Sequence, residues 1–185
     1  MKGLVDLLDS LNSLVRTGWM LRGVPPSITE SVSEHSYNAA LIALILGLHA
    51  KNKGLDIDPY KVAVIALIHD IGEGYIGDIS KTARIDECKS KAERRAIEDS
   101  LLPRHIKELY YEFENKKSIE ALLAKISEQL ATLIKAYKYK LLGFRVDDII
   151  KSMTNSIDDT LRDLGEAGKI IRPHVDSIIN EAASN

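Results

Sequence analysis

The chain has 185 residues, 45% of them apolar and 28% charged, with a formal net charge of −2. That length can bury a sizeable core in a single domain, and the near-neutral charge excludes the global basic field of a protein that wraps nucleic acid. Cys88 is the sole cysteine, which excludes an intrachain disulfide and suits a reducing cytoplasm.

The opening MKGLVDLLDSLNSLV carries early acids and a helical period. A secretory signal would have a charged start followed by an apolar stretch. Leu4, Leu7, Leu8, Leu11, Leu14 and Val15 repeat at i, i+3, i+4, i+7 and predict a first helix. A loop is predicted over TGWMLRGVPPSITE, marked by Gly18, Gly23 and Pro25-Pro26. Ser31-Val-Ser-Glu34 is a capping box: the Ser side chain accepts from the third amide and Glu34 reaches back. The helix it opens is apolar on nearly every face from Ala39 to Leu48, which predicts a central, buried element. That run is too short to cross a bilayer. Asp58-Pro59 reads as N-cap and first turn of a third helix, again apolar all round from Val62 to Ile68. Amphipathic helices follow at about 87–101, 103–114, 117–142, 146–163 and 171–182. Strand alternation, internal repeats and Pro/Ser linkers are absent. The expectation is one all-α domain over 1–185, a helical bundle with two buried central helices.

The apolar run of the third helix ends abruptly in IALIHDIGEGYIGDIS, residues 65–80. His69 and Asp70 close that helix, and His35 lies in the first turns of the second. If the two buried helices pack together, two imidazoles and a carboxylate meet. Ligands of this hardness suit Mn²⁺, Co²⁺, Ni²⁺, Zn²⁺ or Fe²⁺ better than Ca²⁺ or Mg²⁺. Glu73 follows His69 by four residues and shares its face if the helix continues. Gly72 and Gly74 then let the backbone turn away, and Asp78 comes from the loop, positioned by Gly77. Buried helices supply rigid ligands; a glycine-rich loop gives acid/base groups access to substrate. Taken alone, a His-Asp pair at a helix end reads more readily as a cap or core-edge pair than as a metal site.

Four ordered blocks, RTGWMLRGV (16–24), ESVSEHSY (30–37), ALIHDIGEGYIGDIS (66–80) and AKISEQLATLIKAYKYK (124–140), resemble the HD-domain superfamily of metal-dependent phosphohydrolases. Within it they resemble the YfbR-like 5′-deoxynucleotidases and their archaeal and eukaryotic relatives. The resemblance covers about residues 10–142 and leaves the C-terminal helices, about 146–182, without a catalytic role. It implies one divalent metal held by His35, His69, Asp70 and, at a position where relatives usually have Asp, Glu128. The extra methylene of Glu moves its carboxylate by one C–C bond, ~1.5 Å. If Glu128 is instead an exposed helix acid, three protein ligands remain. The resemblance further implies Glu73 and Asp78 as catalytic acids, and Arg16 and Trp19 as substrate-binding residues. Some relatives have Arg directly before Trp; here the order is Arg-Thr-Gly-Trp, as in others. Trp19 packs against the sugar in this reading, or anchors the loop base in the other.

The implied reaction is hydrolysis of a nucleoside 5′-monophosphate to nucleoside and phosphate. It calls for no nucleic-acid polymer and no membrane, and it fits a cytoplasmic homodimer with apolar helices after about 117 as one source of interface. Two competing readings are an HD phosphohydrolase of another nucleotide (triphosphate, cyclic or alarmone) and a catalytically weak nucleotide sensor. His49, His105 and His174 read as structural, Asp158-Asp159 as an exposed helix face, and the charge-alternating KAERRAIED, residues 91–99, as a solvated one. Lys81 and Arg84 follow the site loop and read as surface charge, with a role in guiding phosphate as the alternative.

Overall fold

The computed structural model describes residues 3–80 and 86–184. Its helices are α1 (Leu4–Ser13), α2 (Thr17–Met20), α3 (Val32–Asn52), α4 (Pro59–Ile68), α5 (Glu73–Ile76), α6 (Asp86–Glu98), α7 (Arg104–Asn115), α8 (Ile119–Leu141), α9 (Asp147–Asp163) and α10 (Glu166–Ser184). Among the described residues no helix is long and apolar enough to cross a membrane. Lys81 and Arg84 lie outside the described residues.

The core is built on α3, α4 and α8, which pack on one another. Leu46, Ile65, Leu123, Ile126, Leu130 and Leu133 from these helices are essentially inaccessible. Capping sets where α3 and α4 begin. Ser31 Oγ accepts from the Glu34 amide at 3.1 Å while Glu34 Oε2 accepts from the Ser31 amide at 2.7 Å. Asp58 Oδ1 accepts from the Tyr60 and Lys61 amides. Near the other end of α3, a side chain at Gly47 would sit 2.9 Å from Pro59 Cα, so glycine lets the start of α4 approach α3 closely. The two helices run antiparallel, which brings the first turn of α3 beside the last turn of α4.

Several expectations change. The first helix stops at Ser13, because Leu14 and Val15 turn to an extended path and pair with α3's entry: Val15 bridges Ser31, and the Val32 amide donates to the Leu14 carbonyl at 2.9 Å. The segment expected to be a loop contains the short α2. The last helix, expected from about residue 171, begins at Glu166 after Gly165 at φ 58°, so Pro173 lies inside α10, which buries Ile171 and Val175. Packing of that face outweighs local breaker chemistry. The central helices are buried on one side only. Tyr37, Leu41, Ile45 and Leu48 on α3, and Tyr60, Val64 and Leu67 on α4, are exposed, because α8 covers the opposite faces.

Candidate active site

His35 is delivered by the first turn of α3 and His69 caps the C-terminus of α4. Their rings lie edge to face with centroids 5.2 Å apart. Both are buried, at 0% and 5% exposure. His69 Nδ1 lies 2.7 Å from the Ala66 carbonyl. That contact places a proton on Nδ1 and turns Nε2 toward Asp70. His69 Nε2 is 3.0 Å and His35 Nε2 3.9 Å from Asp70 Oδ2, and neither nitrogen has a hydrogen-bond partner. Buried polar atoms are seldom left so. Among the described residues, these three side chains form a group whose ligand atoms lie within 4.8 Å of one another. Two orphaned imidazole nitrogens and a carboxylate oxygen fit a divalent metal.

Charge around this cluster is balanced by cations on neighbouring elements. Arg16 Nη1 donates to Asp70 Oδ2 at 2.8 Å and Arg16 Nε lies 3.9 Å from Glu30 Oε1. Burial disfavours its charge, but Asp70, Glu30, Glu73 and Asp78 outweigh burial and keep the guanidinium protonated. Burial opposes ionisation of Asp70 too; His69, Arg16 and His35 prevail and hold it well below the usual carboxylate range. His35 is the reverse: burial first, then Arg16 and His69, keep it neutral. In His69 burial lowers basicity, yet Asp70 raises it above the ordinary imidazole value.

Glu73 does not continue α4. That helix ends at Ile68, and i→i−3 bonds from Ile71, Glu73 and Gly74 carry the chain into α5. Neither Gly72 nor Gly74 adopts a positive φ; they allow close approach instead. A side chain at Gly74 would meet Leu7 Cδ1 at 2.6 Å, and one at Gly72 would meet Glu93 at 3.3 Å. Gly77 does turn the chain, at φ 90°. Glu73 is 3% exposed and pairs with Lys89 of α6 at 2.8 Å. Burial, then Asp70 and Asp78, push its carboxyl up to about 9 against Lys89. Asp78 Oδ2 accepts from the Thr17 amide and from Thr17 Oγ1, so the glycine-rich loop is tied to the first residue of α2.

Trp19 is 2% exposed. Its ring meets Tyr139 edge to face at 5.0 Å and its Nε1 donates to Glu30 Oε1 at 2.9 Å. This is the geometry of an anchor at the loop base, although Trp19 also borders the cavity described below. Glu128 is buried, not an exposed helix acid, and lies outside the three-residue metal group; its carboxylate is held by Lys125 at 2.5 Å. Burial resists its charge, but Lys125 and His69 keep it ionised.

Every candidate site residue except His35 opens on a cavity of about 730 Å³, whose walls also come from α6, α7, α8 and α9. Three contributors were not singled out by sequence. Glu30 is 1% exposed, takes the Trp19 bond and lies 3.9 Å from His35 Nδ1. Its signal was an acid just ahead of the Ser31 cap. Lys89 and Lys125 supply cations to Glu73 and Glu128; the Lys125–Glu128 spacing of three was the available clue. Glu93, within the run read as a solvated face, is half-buried beside Lys89 at 3.6 Å. Of the other histidines, His49 and His174 stack at 4.3 Å between α3 and α10, and His105 is exposed beside Glu108. Asp158 pairs with Arg172 at 2.8 Å; Asp159 pairs with Arg162 and also borders the cavity.

An all-α bundle with a buried His/His-Asp cluster that can hold a metal, facing a cavity rich in cations and carboxylates, defines a class of metal-site helical proteins. The HD-domain family profile matches residues 8–163, and the chain belongs to that family. It is 33% identical over 154 residues to the 5′-deoxynucleotidase HDDC2 of Dictyostelium discoideum, covering 78% of this chain and 80% of that one. It is 30% identical over 182 residues to the human protein of the same name, covering 95% and 80%. The crystal structure of the PH0347 protein from Pyrococcus horikoshii OT3 superposes with a TM-score of 0.82 at 30% identity, covering 95% and 96% of the two chains.

Proposed function

We propose that this protein is a metal-dependent phosphohydrolase that releases phosphate from (deoxy)ribonucleoside 5′-monophosphates. The observation that carries the reading is the convergence of two unpartnered buried imidazole nitrogens, His35 Nε2 and His69 Nε2, on Asp70 Oδ2. Relatives that match most of the chain and bear the name 5′-deoxynucleotidase supply the substrate class.

His35, His69 and Asp70 would hold one divalent transition ion, Mn²⁺, Co²⁺, Ni²⁺, Zn²⁺ or Fe²⁺, and Glu128 would be the fourth ligand in place of its pairing with Lys125. When bound, the ion offsets the phosphate dianion, polarises a phosphoryl oxygen and makes water a better nucleophile at neutral pH. The protein's own groups do the rest. Arg16 turns its guanidinium from Asp70 to the phosphate oxygens, a bidentate match. Lys89 and Lys125 lower the local negative potential that would otherwise repel a dianion. Glu73, buried enough to keep a proton at neutral pH, suits protonation of the leaving 5′-oxygen, and Asp78 suits acceptance of the proton from attacking water. Trp19 shapes the sugar side of the pocket through its bond to Glu30. The protein acts in the cytoplasm on free nucleotides. It functions as a homodimer, for which the exposed apolar faces of α3 and α4 are the better interface than the helices after 117.

The test is phosphate release from metal-stripped, reloaded protein against nucleoside 5′-monophosphates, triphosphates and cyclic nucleotides. Release confined to monophosphates is the expected result. Release only from triphosphates or cyclic nucleotides, or binding without release, overturns the assignment.

A further inference from the structure

The cavity continues past the charged cluster between α8 and α9, where the hydrolytic chemistry has no use for its lining. Gln129 and Thr132 face this space from α8; Met153, Ser156 and Thr160 face it from α9. Thr132 is 7% exposed, and its Oγ1 has no hydrogen-bond partner. Gln129, at 4% exposure, reaches Thr160 Oγ1 through both amide atoms at 3.3 Å. The single hydroxyl proton of Thr160 is already committed to the Ser156 carbonyl at 2.8 Å. Thr160 therefore accepts from Gln129 Nε2 and cannot also donate well to Gln129 Oε1. One amide hydrogen and the carbonyl of Gln129 are left without a good partner.

A carboxamide with a spare donor and acceptor, beside an orphaned hydroxyl and the apolar Met153, is complementary to a flat heterocycle. The heterocycle's faces need an apolar surface, and its edge needs paired donors and acceptors. Spacing agrees. Thr132 lies one turn of α8, about 6 Å, beyond Glu128, which leaves room for a sugar between phosphate and base.

We propose that Gln129 and Thr132, with Thr160 and Met153 opposite, form a nucleobase-recognition wall. This inference rests on the phosphohydrolase reading and extends it: the site distinguishes a nucleotide from a bare sugar phosphate, and α9 sets that preference.

The experiment compares kcat/KM for 2′-deoxynucleoside 5′-monophosphates with that for 2-deoxyribose 5-phosphate, in wild type, Thr132→Val and Gln129→Leu. Thr132→Val loses no hydrogen bond in the free protein, so its melting temperature does not fall, which keeps the test interpretable if Gln129→Leu folds poorly. The expected result is a wild-type preference for the nucleotide that drops at least threefold in Thr132→Val, carried by KM. A smaller change in that ratio overturns the wall. Calorimetric binding of the free 2′-deoxynucleosides separates this inference from the one beneath it. If wild type hydrolyses neither substrate, the phosphohydrolase reading fails; the wall still stands if wild type binds a deoxynucleoside and Thr132→Val weakens that binding at least threefold, and falls if it does not.

Discussion

The two ends of the cavity are satisfied in opposite ways. At the end formed by α3 and α4, Asp70 Oδ2 gathers Arg16, His69 and His35 within 3.9 Å, and Glu73 and Glu128 are each held by a lysine. Further along, between α8 and α9, Asp148, Asp159 and Asp163 also line the cavity, but Gln129, Thr132, Met153, Ser156 and Thr160 form a neutral strip on which Thr132 Oγ1 is orphaned. Buried charge needs partners before any ligand arrives, whereas a buried hydroxyl can wait for one at modest cost. In the proposed reading, the charged cluster serves chemistry and the neutral strip serves selection.

If the division holds, substitutions at the charged end cost rate. The largest loss is expected for Asp70→Ala, which removes the oxygen on which both imidazoles converge; phosphate release should fall on the order of 10³-fold or more, read as kcat/KM with the fold checked by circular dichroism. Glu73→Gln should lower kcat by about 10²- to 10⁴-fold. The same variant carries a stability signature. The folded carboxyl holds its proton to about 9 while the unfolded one loses it near 4.5, so the unfolded state binds fewer protons between those values. Stability of the metal-free protein then falls as pH rises through that window, and Glu73→Gln removes the slope. Urea unfolding at pH 5 and pH 8 in chelator measures it.

A smaller effect tests whether the charged end reaches past its ligands. Glu30 lies 3.9 Å from His35 Nδ1 and from Arg16 Nε, so Glu30→Gln should weaken metal affinity by about 10- to 100-fold, measured by competition with a chelating dye. The smallest expected signal is protonic. Asp70 raises the basicity of His69 above the ordinary imidazole value in the metal-free protein. A metal must displace that proton, so uptake releases protons and affinity weakens as pH falls. Calorimetry in buffers of different ionisation enthalpy detects the release; uptake with no proton exchange near neutrality contradicts the geometry around His69.

The same division explains what could be read in the sequence. His35, His69 and Asp70 were legible because they sit beside local punctuation: the Ser31–Glu34 capping box and the abrupt end of an apolar run. The packing of α3 on α4 follows from two apolar helices needing a common core. Glu73 lines the same cavity as His69 and Asp70, but a turn and a separate short helix bring it there rather than a continuing α4. The sequence could not show that Gly72 and Gly74 serve close approach to Glu93 and Leu7, since both contacts come from distant segments. Nor could it show the Gln129–Thr160 pairing, which joins residues 31 apart on different helices, or which faces of α3 and α4 stay exposed. Pro173 inside α10 is the clearest case of packing overruling a local signal.

The most direct test of the central claim is phosphate release by metal-stripped protein from a 2′-deoxynucleoside 5′-monophosphate as Mn²⁺ or Co²⁺ is titrated in, with Asp70→Ala in parallel. The account predicts activity that rises with metal and saturates at one ion per chain in the wild type, and none in the folded variant. Metal-independent release, or full activity in Asp70→Ala, would contradict it.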